Sequence, residues 1–301
     1  MKKLLFIGAS VADVVLRVPA LPMPGDDLVV LEQSVKLGGC ACNACRAAML
    51  AETSECVLFS PVGSGVWGDW VRDALRQSGL TTPIPPVSDP NGCCYCLVTP
   101  DGERSFLCHQ GAEYRFLPEW FDLAGDSFDG VYLCGLEVEL PTGSVILDWL
   151  ERCPPHRLFF APGPRLCHIS PDRMARVMRL KPIFHMSAPE AAQFTRSDDM
   201  TEAAWRIRHL TDSPVIITLG ADGAYVLTEE GNVTVPSVPA AVVDTIGAGD
   251  AHIGCVMAAM AEGLSIPDAV RRANRAAAAV VEQSGATLTR EQYLKALEAS
   301  P

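Results

Sequence analysis

The sequence predicts an α/β fold: a doubly wound, mainly parallel sheet flanked by helices, with a small β-sheet lid. Two observations predict it. Strand and helix signals alternate along most of the 301 residues, the rhythm of a parallel sheet covered on both faces. An early strand and a central hairpin fall outside that rhythm, and these are assigned to a separate small sheet.

Taken in order, Leu4 to Ile7 is a short buried strand ending at Gly8-Ala9. Val11 to Val18 continues extended, with Asp13 and Arg17 interrupting the apolar run. Pro19, Pro22, Pro24 and Gly25 mark a turn-rich connection. Leu28 to Leu37 reads as a strand, and Gly38-Gly39 opens a helix rich in Ala, Cys and Met that runs to about Ala51. A strand over Val57–Val62 and a helix over Gly68–Ser78 follow. Cys93–Thr99 and Arg104–His109 flank Pro100-Asp-Gly102, a hairpin signature. The alternation then resumes, with strands at 130–133, 158–160, 183–186, 215–219 and 224–228. Helices fit 143–152, 171–180, 201–210, 250–262 and 267–283, and a short one fits 291–299.

Composition narrows the function. The chain carries 36 acidic and 24 basic residues, a balance of −12, which opposes broad contact with nucleic acid. Aromatics at 7% are too few for a base-stacking platform. The Met-Lys-Lys-Leu-Leu start superficially resembles a signal peptide, but its apolar run is cut short by Asp13 and Arg17. No stretch reaches the roughly 20 apolar residues that span a bilayer. These features predict a cytoplasmic protein with no membrane partner. The twelve cysteines are read as thiols. Cys40, Cys42, Cys45 and Cys93, Cys94, Cys96 lack the spacing of a zinc ribbon, and buried Cys serves as a small hydrophobe.

The segment richest in chemistry is Val243 to Met260. Ile253, Val256, Met257 and Met260 recur at helical spacing, so Gly247-Ala248-Gly249 is a loop delivering the chain to a helix N-terminus. Unpaired amides and the helix dipole there favour an anion, phosphate above all. Asp250 stands at that entrance. It is placed either to cap the helix or to accept a proton from a hydroxyl; the two roles are compatible. The loop lacks the Gly-Lys-Ser/Thr ending of a Walker A motif, and its spacing and position are wrong for a dinucleotide fingerprint.

Asp244-Thr-Ile-Gly-Ala-Gly-Asp250 resembles the C-terminal signature of the ribokinase (PfkB) sugar kinases. Gly38-Gly39-Cys-Ala-Cys-Asn43 resembles their N-terminal signature. Gly8 with Asp13, Gly102-Glu-Arg104, and Thr218-Leu-Gly220-Ala-Asp-Gly223 match further family segments, so the resemblance spans nearly the whole chain. It implies a ribokinase-like fold in a single domain over residues 1–301, with lid strands from about 11–37 and 91–112. It also implies an ATP-dependent kinase that phosphorylates a sugar-type hydroxyl with magnesium. Asp250 would be the general base, and the amides of Ile246, Gly247, Ala248 and Gly249 the anion hole. Asp13, Gly38, Gly39 and Asn43 would bind the acceptor. Ser187, Thr218, Gly220, Gly223 and Asn274 would lie along ATP, with Ser284-Gly285-Ala286 beside the adenine. Glu190 would meet magnesium indirectly. Asp244 and Ile246 match positions that can hold potassium in related kinases. Lids in this family often pair between subunits, which implies a homodimer.

Simpler roles compete at several positions. Asp13 also suits a turn after the first strand, Asn43 a helix hydrogen-bond filler, and Asp244 a turn acceptor. The sequence departs from the family pattern in two places. Ser187 stands where the family often has Asn, and Ala161 where Asp is frequent. His109 and Glu113 read as a solvated loop, His252 as a helix-surface histidine, and Arg271, Arg272 and Arg275 as a solvated face. A free sugar leads as acceptor, with a nucleoside, including a pseudouridine-type one, as runner-up. Sugar phosphates are disfavoured for want of a cationic cluster near the lid. A sugar-responsive binding protein without turnover is a reading from another class. A nicotinamide oxidoreductase is disfavoured by the missing early fingerprint.

Overall fold

Leu4, Leu5, Phe6 and Ile7 are all essentially inaccessible, as a central strand covered on both faces requires. Their side chains alternate between two cores. Leu4 and Phe6 pack on one side of the sheet, Leu5 and Ile7 on the other. The computed structural model describes residues 1–298. The expected terminal helix at 291–299 therefore ends, for Ala299, outside the described residues.

The first third holds β1 (Lys2–Ile7), β2 (Val11–Arg17), β3 (Glu32–Gly38), α1 (Cys40–Met49), β4 (Ser54–Phe59), α2 (Gly65–Gln77), β5 (Cys93–Val98) and β6 (Arg104–His109). The middle holds α3 (Phe121–Ala124), β7 (Gly130–Cys134), α4 (Gly135–Glu139), α5 (Gly143–Arg152), β8 (Leu158–Ala161), α6 (Pro171–Arg179), β9 (Ile183–Ser187), α7 (Ala188–Thr195) and α8 (Met200–Thr211). The last part holds β10 (Val215–Thr218), β11 (Ala224–Thr228), β12 (Gly231–Val235), α9 (Ala248–Ala261), α10 (Ile266–Val281) and α11 (Arg290–Glu298).

Eight strands form the main sheet in the order β12-β11-β10-β9-β8-β7-β1-β4. It is parallel from β4 to β10, and β11 and β12 extend it antiparallel. Helices α1, α9 and α10 contribute to the core on one face, and α5, α6, α7 and α8 to the core on the other. The second sheet is the lid, ordered β3-β2-β5-β6. No helix among the described residues is long and apolar enough to cross a membrane.

Several boundaries move for physical reasons. The strand expected from Leu28 begins only at Glu32, which pairs with Arg17 at the end of β2. Beyond that pair there is no partner strand, and Val29 and Leu31 lie exposed. The strand expected at 57–62 runs 54–59, in register with Lys2–Ile7. β12 was not expected, because four of its five residues are exposed and it has no buried stripe to betray it. Short helices α4 and α7, each directly after a strand, also escaped a reading that relies on long periodicity.

Candidate active site

The candidate residues gather at the carboxyl ends of the parallel strands, where open α/β sheets bind ligands. Gly8 follows β1, α4 follows β7, Ser187 ends β9 and Thr218 ends β10. Gly38 and Gly39 join β3 to α1, which carries Asn43. A Cβ on Gly38 would fall 1.8 Å from Asp13 Oδ2, so the missing side chain is what gives the Asp13 carboxyl its place. Gly39 has φ +102, and a Cβ there would meet the Ala9 carbonyl at 2.1 Å. Only glycine suits that close, left-handed approach.

At the other signature, Gly247 is the N-cap of α9 with φ 75, and a Cβ there would strike Ala286 Cβ at 2.2 Å. Asp250 is the third residue of the helix, so it does not cap it. Its Oδ2 instead accepts from Asn43 Nδ2 at 2.9 Å, bringing the two sequence signatures together across 207 positions. The amides of Gly247, Gly249 and Asp250 have no acceptor among the described residues, as an anion site at a helix N-terminus would leave them. The Ile246 amide does not join them, because it donates to Asp244 Oδ1 at 2.8 Å. A Cβ on Gly249 would meet nothing within 4 Å. Its glycine answers no steric need of the protein and leaves open space in front of the amides.

Three carboxyls converge here, and all are pushed toward the neutral form. Burial raises Asp250 to about 6, against hydrogen bonds from Asn43 and the Cys40 thiol that favour the anion. Burial and then the charge of Asp250 raise Asp13 to about 7. Burial raises Glu137, on α4, to about 7, although the Ala9 amide donates to it at 3.0 Å. Sequence reasoning missed Glu137 because it missed α4; a glutamate in an otherwise apolar stretch after a buried strand was the available signal. Glu137 Oε2 and Asn43 Oδ1 are buried without a partner, so two acceptor atoms stand ready for hydroxyl donors. Neutral carboxyls can both give and take hydrogen bonds, which suits polyol recognition.

A cavity of about 480 Å³ lies on one side of the α9 entrance. Thr218, Gly220 and Gly223 line it together with Ala248, Gly249 and Asn274. Asn274 shows the cavity its body more than its polar atoms: Nδ2 donates to the carbonyls of Val235 and Pro236, and Oδ1 is bonded to His252. His252 is not on the surface. It is buried, 3.0 Å from Asn274 Oδ1 and 2.8 Å from His185 Nε2. Burial lowers it to about 4 and lowers His185 as well, so both rings are neutral at pH 7. Ser187 is the N-cap of α7, and its amide donates to Glu190 Oε2 at 2.9 Å. That gives the serine a local purpose of its own. Nothing in the structure explains the alanine at 161.

A second cavity, about 140 Å³, lies under the lid and is lined by Asp13, Lys36, Arg104, Asp244 and Ile246. Ser284, Gly285 and Ala286 line this one, not the larger cavity where adenine was expected. Asp244 is almost fully buried, and Arg104 from the lid meets its Oδ1 at 2.8 Å. The carboxylate matched to a potassium position thus already faces a guanidinium. Glu113 is buried rather than solvated, holding the Gly92 and Gly111 amides at 2.7 and 2.9 Å, while His109 is exposed. Arg271, Arg272 and Arg275 turn to Asp268, Glu262 and the Leu297 carbonyl. All twelve cysteines are free, and no cluster of three or more metal-ligating side chains occurs among the described residues.

The model of the pfkB family carbohydrate kinases matches residues 1–292. The chain is 34% identical over 304 aligned positions to the uncharacterized sugar kinase YegV of Escherichia coli (strain K12), covering 98% of this chain and 94% of that protein. It is 27% identical to the aminoimidazole riboside kinase of Salmonella typhimurium (strain LT2), covering 86% and 87%. Among solved structures, ribokinase from Thermotoga maritima superposes with a TM-score of 0.86 at 24% identity, over 99% of this chain and 100% of that one. Fold, paired signatures and sequence likeness agree: the chain belongs to the pfkB carbohydrate kinase family and is a sugar or nucleoside kinase.

Proposed function

We propose that the protein transfers the terminal phosphoryl group of ATP to a hydroxyl of a small free sugar. One observation carries this reading: the Asp250 carboxylate and the unpaired amides of Gly247, Gly249 and Asp250 share one turn of α9. A base and an anion site at one point are what phosphoryl transfer to an alcohol needs. The segment from Asp244 to Gly249 also separates the two cavities, with Ile246 lining the smaller and Ala248 and Gly249 the larger.

In this reading the larger cavity takes the nucleotide, and the acceptor lies at the Asp13 end of the smaller one, beside Asn43, Glu137 and Asp250. Asp13, Asn43 and Glu137 hold the acceptor's hydroxyls. Asp250 takes the proton of the attacking hydroxyl as the new O–P bond forms, and ADP leaves. The helix amides hold the negative oxygens of the transferring group, so positioning and electrostatics supply most of the acceleration. Magnesium offsets phosphate charge when bound. Glu190, with one oxygen held by the Ser187 amide, is a fitting single contact for an ion held mainly by phosphate and water.

The greater likeness to a sugar kinase, 34% identity against 27% for a riboside kinase, favours a sugar over a nucleoside. The likeness to a riboside kinase keeps the nucleoside as the second reading. ADP release measured with magnesium across a panel of sugars and nucleosides tests both. Turnover with sugars alone supports the first reading, and turnover with nucleosides alone replaces it by the second. ATP binding with no ADP release for any acceptor would instead indicate a sugar-responsive binding protein.

The lid also supports self-association. Tyr95 and Leu107 are cross-strand partners facing away from the acceptor cavity, and both are exposed. A second copy's lid would cover this apolar surface. Light scattering showing only a monomer at micromolar concentration would rule this out.

A further inference from the structure

Asp244 is a buried carboxylate with both oxygens engaged. Oδ1 accepts from the Ile246 amide at 2.8 Å and lies 2.8 Å from the Arg104 guanidinium as an ion pair. Oδ2 accepts from the Gly285 amide at 3.2 Å. Through these bonds it ties together the stretch leading into the α9 turn and the 284–286 loop, against which Gly247 packs. A carboxylate this deeply buried needs a countercharge. Family resemblance would place potassium there. The residues present do not fit it: the guanidinium already supplies the charge, and a second cation beside it would meet repulsion.

Arg104 is the first residue of β6, so this countercharge belongs to the lid. Lys36, on β3, makes a second connection from lid to core, donating to Ser284 Oγ at 2.7 Å. We propose that Arg104 takes the place of a monovalent cation at Asp244, so that the phosphate-binding turn is set only when the lid is down and the enzyme needs no potassium. Arg104 is thus a positioning residue. It acts through Asp244 on the turn that carries Gly247 and Gly249. With the lid raised, Asp244 loses its countercharge and the turn loses one of its ties. Closure over the acceptor and readiness to accept phosphate become one event, and an empty site is guarded against spending ATP on water.

This inference rests on the kinase reading, so its test has an arm that needs no turnover. Thermal unfolding of the intact protein is followed in potassium chloride and in tetramethylammonium chloride of equal ionic strength. The wild type should give the same midpoint in both. Arg104→Ala and Arg104→Gln should unfold at lower temperature and gain a saturable rise with potassium. With an active acceptor, the wild type should turn over equally in both salts. The two variants should lose kcat by about 10- to 100-fold without potassium, the order for a small misplacement of positioning groups. Potassium should restore part of that loss, and KM for the acceptor should change less than kcat. Arg104→Lys, which keeps a charge, should fall between. A saturable potassium response in the wild type would overturn the proposal. So would full turnover of Arg104→Ala without potassium, or a loss that neither potassium nor Arg104→Lys repairs. If no acceptor is turned over, the kinase reading fails while the unfolding arm still decides the charge replacement.

Discussion

Asp250 and Gly249 differ by one position and fail in different ways when changed. Asp250 must be ionised to accept a proton, and burial holds it near 6. kcat/KM should therefore fall as pH drops through about 6, with an apparent value belonging to the coupled set of Asp13, Glu137 and Asp250 rather than to one carboxyl. Asp250→Asn should fold, bind ATP and lose roughly 10² to 10⁴ in turnover, the usual range for a general base; near-normal turnover would sink the assignment. Gly249→Ala tests the open space before the helix amides. Its Cβ touches no protein atom, so thermal stability should be unchanged within about 0.5–1 kcal/mol, while ATP binding measured by calorimetry should weaken. A fall in stability as large as the fall in affinity would mean that the glycine serves the fold. At this scale the sequence was readable wherever a glycine or a short polar residue stood out from its surroundings: Gly38, Gly39, Asn43, Gly247 and Asp250. Glu137 was not, because its one cue, a glutamate in an apolar stretch after a buried strand, is shared with the partly exposed Glu139 two residues on.

Among the elements, α9 and α10 are joined by a polar chain that the sequence did not disclose. His185 on β9, His252 on α9 and Asn274 on α10 form one hydrogen-bonded line, closed by the Val235 and Pro236 carbonyls. Asn274 Oδ1 accepts, so His252 carries its proton on Nε2 and presents Nδ1 as acceptor to His185 Nε2–H. Each link is buried, so truncating one leaves its neighbours unpaired. Asn274→Ala should cost about 2–4 kcal/mol of stability, several buried partners being orphaned together, and chemical denaturation measures it directly. A loss below about 0.5 kcal/mol would show that the line is not load-sharing. The long helices and buried strands were legible from periodicity and from Pro and Gly punctuation. α4, α7 and β12 were not: two are too short to show a period, and β12 has only one buried residue. His252 was misread for a related reason. Every residue of α9 from Ala251 to Met260 is buried, and a helix without a polar face gives no pattern that separates inside from outside.

The whole molecule carries two opposed sets of titrating groups. Asp13 and Glu137 rise from 3.8 and 4.5 to about 7, and Asp250 from 3.8 to about 6. The native state therefore holds protons that the unfolded chain has released, and stability grows as pH falls from about 8 into this range. His252 runs the other way, lowered from 6.5 to about 4. Below about 6.5 the unfolded chain gains protons that the native state refuses, which removes stability. The unfolding midpoint should thus be higher at pH 6.5 than at pH 8, rise more slowly below pH 6.5 because the buried histidines offset part of the three carboxyls, and turn over only near pH 4, where the unfolded carboxyls also protonate. A midpoint that climbs steadily from pH 6.5 to pH 8 would contradict the three raised carboxyls. The same balance exposes a compromise between function and folding, since the carboxyls proposed to recognise and activate an acceptor are the ones the fold would rather keep neutral. Finally, a helix enclosed on every side cannot swing without tearing the core beside it, so the α9 end of the cleft is the fixed jaw. Motion around the cleft falls to the lid, whose inner strands β2 and β5 are anchored in that same core through Ala12, Val14 and Cys93. In the proposed kinase, product release would then wait on the lifting of that one arm, while loss of its tie at Arg104 would also slow the chemical step by freeing the turn that holds the phosphate.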